Sequence, residues 1–293
     1  MFSKEPSLHK IKHLIPIIPV YFIIITVTLS FTKFITFNLN PNTNEYENWD
    51  FPEGIAKVFL ILIFYTFSIM TVVCHLKSMF TFPGTVSKEY INNNQNNSNV
   101  CKKCSIPRPE RAHHCKICKF CILKFDHHCP WIANCVGINN QKNFVQFLFF
   151  ATFGDLIAFL SFLPKLISLN LSIKIKGKLT TIEILYQMSD KLLLLVASLL
   201  SISMVISIGF LLYVQLKFIL NNITSIEIKN IEPEEGKYFD ENKFNSFKIV
   251  MGESFLDWFN IFPELNNVNN GYIYGKYCDI NNDKILKSKT FFI

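Results

Sequence analysis

Residues Cys101–Phe144 read CKKCSIPRPERAHHCKICKFCILKFDHHCPWIANCVGINNQKNF. Seven of the nine cysteines and four of the seven histidines fall in the 35 residues from Cys101 to Cys135. A hydrophobic core does not explain that density, because Lys and Arg are interleaved throughout and few large apolar residues accompany the cysteines. Disulfides are a poor account as well. The count is odd, histidines sit beside the cysteines, and the flanking charge places the segment in the cytosol, where thiols stay reduced. The pairs Cys101/Cys104 and Cys115/Cys118 have the C-x2-C spacing with which two thiolates grip one ion, and Zn2+ favours four S/N ligands. Two tetrahedral sites would use eight of the eleven Cys/His candidates and leave three over. Two metal ions would also replace the core the segment lacks, since metal binding supplies folding free energy.

Asp126-His127-His128-Cys129 places a carboxylate, two imidazoles and a thiol in four consecutive residues. A thiol becomes a strong nucleophile when a neighbouring base favours its thiolate, and that base works best when a third group fixes its tautomer. Asp, His and Cys supply those roles. The alternative is that Cys129 is one more metal ligand and Asp126 a hydrogen-bond partner of a ligand.

The stretch resembles the cysteine-rich domain of the DHHC family of protein S-acyltransferases (palmitoyltransferases). The family pattern C-x2-C, R-P, H-C-x2-C-x2-C-x4-D-H-H-C-P-W and N-C-V-G-x-x-N is met without insertion. It falls on Cys101, Cys104, Arg108-Pro109, His114-Cys115, Cys118, Cys121, Asp126 to Trp131, Asn134 to Gly137 and Asn140. The resemblance implies one zinc on Cys101, Cys104, His114 and Cys121, and a second on Cys115, Cys118, His128 and Cys135. It leaves Cys129 as nucleophile, His127 as its base and Asp126 as the orienting carboxylate; His113 has no assigned role. It further implies an acyl chain held between membrane helices, with Trp131 and Gly154 assigned to that acyl cavity. Gly154 has a competing reading as a site of close helix packing.

Around this segment the chain is apolar. Half of its 293 residues are hydrophobic, 30 are Phe, and the charges are segregated from long apolar runs, which indicates a polytopic membrane protein. The first apolar run follows Lys10, Lys12 and His13 and lacks a small-residue cleavage site, so it is expected to span rather than be removed. Four segments are long enough to cross a bilayer: about 14–32, 58–76, 144–163 and 192–212. The expected fold is therefore all-α, with four transmembrane helices and a two-zinc domain of short hairpins between the second and third. The expected divisions are 1–86, an Asn-rich spacer at 87–100, the cysteine-rich domain at 101–143, two further spans within 144–220, and a tail from 221 to 293.

Charge sets the orientation. Residues 38–54 hold four acidic residues and no Lys or Arg, whereas 77–143 hold ten Lys/Arg against three acids. The positive-inside rule then puts the N-terminus, the cysteine-rich segment and the tail in the cytosol. Lys165, Lys174, Lys176, Lys178 and Lys191 run against that assignment, since the loop after the third span is basic and on the other side.

Smaller motifs flank the core pattern. Phe82-Pro83-Gly84 stands where the family has Asp-Pro-Gly, so the turn is kept while a polar contact is in doubt. Two segments compete for the family's Thr-Thr-x-Glu motif. Thr180-Thr181-Ile182-Glu183 precedes the fourth span, and Thr224-Ser225-Ile226-Glu227 follows it. The supporting motif is assigned to Thr224, Ser225 and Glu227, on the side where it can touch the catalytic loop. In the tail, Phe244 and Phe247 resemble the family's aromatic motif, with Ser246 in place of its Asn. Phe255–Phe262 reads either as an amphipathic segment on the membrane or as tail residues packed on the zinc domain.

The chemistry implied is acyl transfer from a fatty acyl-CoA through Cys129 to cysteine thiols of membrane-associated substrate proteins, with two structural Zn2+. Arg108, Arg111, Lys116 and Lys119 are candidates for the CoA phosphates. The expected partners are acyl-CoA, substrate proteins with membrane-proximal cysteines and the lipid bilayer, with no nucleic acid. The location is an endomembrane (Golgi or ER) or the plasma membrane. The alternative class is a membrane-anchored zinc scaffold without catalysis.

Overall fold

A computed structural model describes residues 14–39, 53–96, 99–169, 181–230 and 243–261. Long runs of apolar side chains on every face, with few breakers, form helices because in lipid only a helix satisfies its own backbone donors and acceptors. Helix α1 (Ile17–Phe31) continues into a π-helical turn at Thr32–Thr36, and α2 spans Glu53–Phe80. Pro16 and Pro19 cost α1 little, because amides of the first turn have no intrahelical partner. A one-turn helix α3 (Lys88–Asn93), capped by the Ser87 hydroxyl, leads into the cysteine-rich segment. Helices α4 (Gln141–Ile167) and α5 (Thr181–Leu220) follow, then α6 (Ser225–Asn230), α7 (Lys243–Met251) and α8 (Phe255–Phe259).

Four helices are long and apolar enough to cross a membrane: Ile17–Thr36, Gly54–Phe80, Gln141–Ile167 and Ile184–Leu220. Each expected span lies on one of them, yet the helices overrun the apolar windows. The clearest case is α5, whose 40 residues at a rise of about 1.5 Å run roughly 60 Å, twice a hydrocarbon core of about 30 Å. Hydropathy marks the stretch that lipid covers; polar residues such as Gln187, Asp190, Lys191, Gln215 and Lys217 carry the helix beyond it.

The chain divides into two compact units. One comprises 15–73 and 147–212, the bulk of the four long helices. Its core is aromatic and small side chains together. Phe31, Phe34, Phe64 and Phe162 are buried beside Ala158, Leu194 and Ala197, with the Phe31 and Phe64 rings stacked at 3.7 Å. Apolar area gives little drive between helices in lipid, so close packing and polar links hold them. The Thr32 hydroxyl meets the Tyr65 hydroxyl at 2.8 Å, and Lys33 pairs with the buried Asp190 while its ammonium lies 4.9 Å from the Tyr186 ring.

The second unit comprises, among the described residues, 14, 74–96, 99–146, 213–230 and 243–261. It carries three two-stranded antiparallel sheets: β1 (Val100–Cys101) with β2 (Ile106–Pro107), β3 (His113–His114) with β4 (Cys121–Ile122), and β5 (His127–Cys129) with β6 (Asn134–Val136). Sheets this small are not stable alone. Two small clusters support them, one around Val86, Ala112 and Leu123, the other around Ile122 and Phe125 with Ile226 of α6 against it.

Asparagines fasten the module to α2. Asn134 Nδ2 donates to the carbonyls of Ser78, Met79 and Thr81 at 2.9–3.1 Å, satisfying groups that the helix end leaves without amide partners. Asn140 Nδ2 donates to the Cys135 carbonyl at 2.8 Å, and its Oδ1 accepts from the Gly137 amide at 2.9 Å. The Pro83-Gly84 turn is kept. Gly84 has φ +98°, and a Cβ there would lie 2.8 Å from Ile138, so only glycine fits. Where the family has Asp, the Phe82 ring stacks on Phe120 with centroids 5.9 Å apart.

Candidate active site and metal centres

Each hairpin turn brings cysteines together. Ser105 and Lys119 adopt φ of 56° and 67°, and their amides close the turns on the carbonyls of Cys101 and Cys115 at 2.7 and 2.8 Å. The Cys118 amide also donates to Cys115 Sγ at 3.3 Å. The result is two sets of four, Cys101, Cys104, His114, Cys121 and Cys115, Cys118, His128, Cys135, with the ligand atoms of each set within 4.8 Å of one another. These are the two sets expected from the sequence. In the first, Cys104 Sγ lies 3.0 Å from His114 Nδ1 and 3.7 Å from Cys121 Sγ. In the second, His128 Nδ1 lies 3.8, 3.4 and 3.5 Å from the sulfurs of Cys115, Cys118 and Cys135.

The donor chemistry fits a metal ion. Three sulfurs about 2.3 Å and a ring nitrogen about 2.0 Å from a shared tetrahedral centre would stand about 3.5–3.8 Å apart, close to the separations here. All eight cysteines among the described residues are free thiols. Each set could hold one metal ion in a site closed by protein.

Strand β5 separates the remaining residues by its pleat. Successive side chains alternate faces, so His128 turns to the metal set with Cys135 opposite it, and His127 and Cys129 share the other face. Cys129 is 3% exposed. His127 Nδ1 donates to Asp126 Oδ2 at 2.8 Å, and the Cys129 side chain is hydrogen-bonded to the same ring. Burial alone would lower the imidazole, but the bonds to Asp126 and Cys129 outweigh it and raise it to about 9. Phe144 packs edge-on against the ring at 5.6 Å.

Asp126 is 2% exposed and is held from several sides. Burial would raise its carboxyl, yet His127, the Ser225 amide and Gln215 keep it below the usual carboxylate range. Ser225 N donates to Oδ1 at 2.6 Å, its hydroxyl donates to the Asp126 carbonyl at 2.6 Å, and Gln215 Nε2 donates to Oδ2 at 2.8 Å. Glu227 lies behind them. Its carboxylate accepts the Thr224 amide at 2.8 Å and forms a two-pronged pair with Arg111 at 2.6 and 2.9 Å. Thr224, Ser225 and Glu227 are thus brought to the site. Of the rival Thr180-Thr181-Ile182-Glu183, Thr181 opens α5, and Thr180 and the Glu183 side chain lie outside the described residues.

Two expectations need revising. Arg111, named for CoA phosphates, is 1% exposed and committed to Glu227 and Asn222, so it braces the module from within. Arg108 donates to Asn99 at 3.2 Å, whereas Lys116 and Lys119 are exposed. A carboxylate within a membrane span is expected to find a polar partner, yet Asp155 is half-buried and makes no hydrogen bond or ion pair among the described residues. Of the acyl-cavity residues, Trp131 is 52% exposed, and its carbonyl accepts from His75 Nε2 at 3.0 Å. Gly154 is buried in the helical unit, where a Cβ would lie 3.5 Å from Phe67, an ordinary contact. The tail packs on the start of α4. Lys142 Nζ donates to the Asp257 carbonyl at 2.7 Å and Gln146 Nε2 to that of Trp258 at 2.8 Å, while Phe255 and Leu256 stay exposed.

Gln215, Asn222 and His75 were not singled out from the sequence. Gln215 and His75 are polar residues near the ends of long apolar helices, and Asn222 lies just past α5, two residues before Thr224.

Residues 94–232 match the family described as DHHC palmitoyltransferase. Palmitoyltransferase PFA3 of Candida glabrata is 32% identical over 191 residues, 59% of this chain and 54% of that protein. Probable protein S-acyltransferase 12 of Arabidopsis thaliana is 28% identical over 219 residues, 68% of this chain and 71% of that protein. Palmitoyltransferase ZDHHC3 of Homo sapiens is 44% identical over 95 residues, 29% and 32% of the two chains. The chain thus spans about half the length of the first of these relatives and a third of the last. Residues 94–232 thus resemble the DHHC palmitoyltransferase family, with that family's cysteine, histidine and asparagine pattern in place.

Proposed function

We propose that the protein is a protein-cysteine S-palmitoyltransferase. It takes a long-chain acyl group from acyl-CoA and passes it to thiols of proteins at the cytosolic membrane face. The observation that carries this reading is the buried line Asp126–His127–Cys129 beside two closed Cys/His sets. On this reading His127 Nε2 takes the Cys129 proton, and the thiolate attacks the acyl-CoA thioester carbonyl. The carbon–sulfur bond to CoA breaks, and the imidazolium returns its proton to the departing CoA thiolate. A substrate cysteine thiol then gives its proton to His127 and attacks the acyl-enzyme carbonyl; the carbon–sulfur bond to Cys129 breaks, and the imidazolium returns the proton to the Cys129 thiolate. Asp126 keeps its charge throughout and holds the ring.

The eight ligands are assigned to two structural Zn2+, which supply folding free energy when bound. Lys116 and Lys119 are the basic residues offered to CoA phosphates. The loop charges support a multi-pass protein of the endomembrane system or plasma membrane, with N-terminus, cysteine-rich domain 101–143 and tail in the cytosol. The test is acyl-enzyme formation with radiolabelled palmitoyl-CoA. Wild type is expected to carry a hydroxylamine-labile acyl group, and Cys129→Ser to carry none while keeping its full zinc. Absence of label on wild type with both zincs bound would favour a non-catalytic scaffold.

A further inference from the structure

The residues that follow the nucleophile are fastened to the last two turns of α2, within one compact unit. Strand β5 ends at Cys129, and Pro130–Ile132 form a 3-10 turn closed by the Ala133 amide on the Pro130 carbonyl at 3.1 Å. Ala133 adopts φ 47° at the end of that turn, a conformation that an alanine holds only where its surroundings impose it. Within the turn the Trp131 carbonyl meets His75 Nε2 at 3.0 Å. A carbonyl oxygen only accepts, so this nitrogen carries the hydrogen. His75 is fully buried, as are Cys74 and Ser78 near it on α2 and Ile132 next to Trp131. Water does not reach the ring, so a carbonyl deprived of this donor would stay unpaired.

We propose that His75 is a positioning residue for acyl transfer. Its Nε2–H holds the Trp131 peptide against α2 and so fixes the turn that keeps the Cys129 sulfur in line with His127. Cys129 is then held from both directions along the chain. Upstream, Ser225 and Gln215 fix Asp126, which fixes His127. Downstream, Asn134 and Asn140 tie the second strand of the hairpin to the carbonyls at the end of α2, on the side of the ligand Cys135. His75 acts on the near side, two residues from the thiol. Two residues span at most about 7 Å, so a tilt of the Trp131 peptide is passed to Cys129 with little damping. A misplacement of about 1 Å can cost about a hundredfold in rate. The role rests on the transferase reading of Cys129, and it brings in a residue from a membrane-spanning helix, 26 positions before the cysteine-rich pattern begins.

The experiment follows single-turnover acylation of the full chain in nanodiscs with radiolabelled palmitoyl-CoA. It records the rate at saturation, the half-saturating concentration, the fraction of chains labelled and the bound metal. His75→Met fills the space of the ring and donates nothing, whereas His75→Gln carries an amide N–H to about the position of Nε2. His75→Met should form the acyl-enzyme about tenfold more slowly, since one buried carbonyl left unpaired is enough for that factor. Its half-saturation, labelled fraction and metal content should match wild type. His75→Gln should stay within about threefold of the wild-type rate, because the donor is kept. Equal rates in the Met and Gln variants, whether both slow or both unchanged, would overturn the proposal and make the ring a packing element. So would a lower labelled fraction at an unchanged rate, the signature of chains lost to misfolding. A wild type that takes no label fails the transferase reading and this role with it, whereas those outcomes beside a labelled wild type fail this role alone.

Discussion

Glu227→Ala tests whether the segment after α5 holds the catalytic aspartate in place. The Glu227 carboxylate receives the Arg111 guanidinium at 2.6 and 2.9 Å and the Thr224 amide at 2.8 Å. Arg111 is 1% exposed, so removing the carboxylate leaves a buried cation without its Glu227 partner. Breaking a buried pair from one side costs about 3–5 kcal/mol. The cost falls on the contact between the module and α6, not on the whole chain, so its readout is local opening. About 4 kcal/mol corresponds to roughly a thousandfold in the open-to-closed ratio. Hydrogen exchange of peptides covering 108–128 and 222–230 should accelerate by that order where exchange follows local opening. Glu227→Gln, which keeps the shape and loses the charge, should fall between. Arg111→Met combined with Glu227→Leu should open less than Glu227→Ala alone, because no charge is left unpaired. Exchange in Glu227→Ala within about threefold of wild type would refute the reasoning, as would a double variant whose effect is the plain sum of its singles.

Three further outcomes follow from the same geometry. His127→Ala should abolish acyl-enzyme formation at full zinc content, whereas His128→Ala should lose activity and one zinc together; elemental analysis beside autoacylation separates them. Gln215→Leu removes one of the donors on Asp126 and should slow acyl-enzyme formation about tenfold at unchanged zinc, a bond to a charged acceptor being worth about 1.5–3 kcal/mol in all. Gly154→Phe forces a large ring toward Phe67 on α2 and should shift preference among C14, C16 and C18 acyl-CoA donors toward shorter chains. Loss of stability with unchanged chain preference would instead mark Gly154 as a packing position.

The fold was legible where one kind of physics dominated. Uniform apolar runs gave all four long helices, since nothing but a helix is tolerated in lipid. Cysteine spacing gave the pairs Cys101/Cys104 and Cys115/Cys118, and the family resemblance grouped them with the other four residues into the two sets that the structure brings together. The reading was weaker where several forces share a residue. Arg111 looked like a surface cation among others because charge is visible in a sequence and burial is not; its partner lies 116 positions away. Gln215 and His75 were missed for a related reason, since a polar residue in an apolar helix reads the same whether it faces a site or the interface. Helix ends were misjudged because backbone bonding continues where hydropathy stops, most of all in α5.

The three-residue strand β5 has a consequence for which changes in length the chain tolerates. Its side chains alternate between a metal set on one face and the thiol–imidazole pair on the other, and Cys135 faces His128 across the hairpin. One ion held by both residues would clamp the pairing at a single register. A one-residue insertion or deletion between 129 and 134 would either break that ligation or rotate part of the strand by a half-period, carrying Cys129 away from His127. Substitutions in Pro130–Ala133 change only what the loop touches. The hairpin is therefore a segment open to change in composition but closed to change in length.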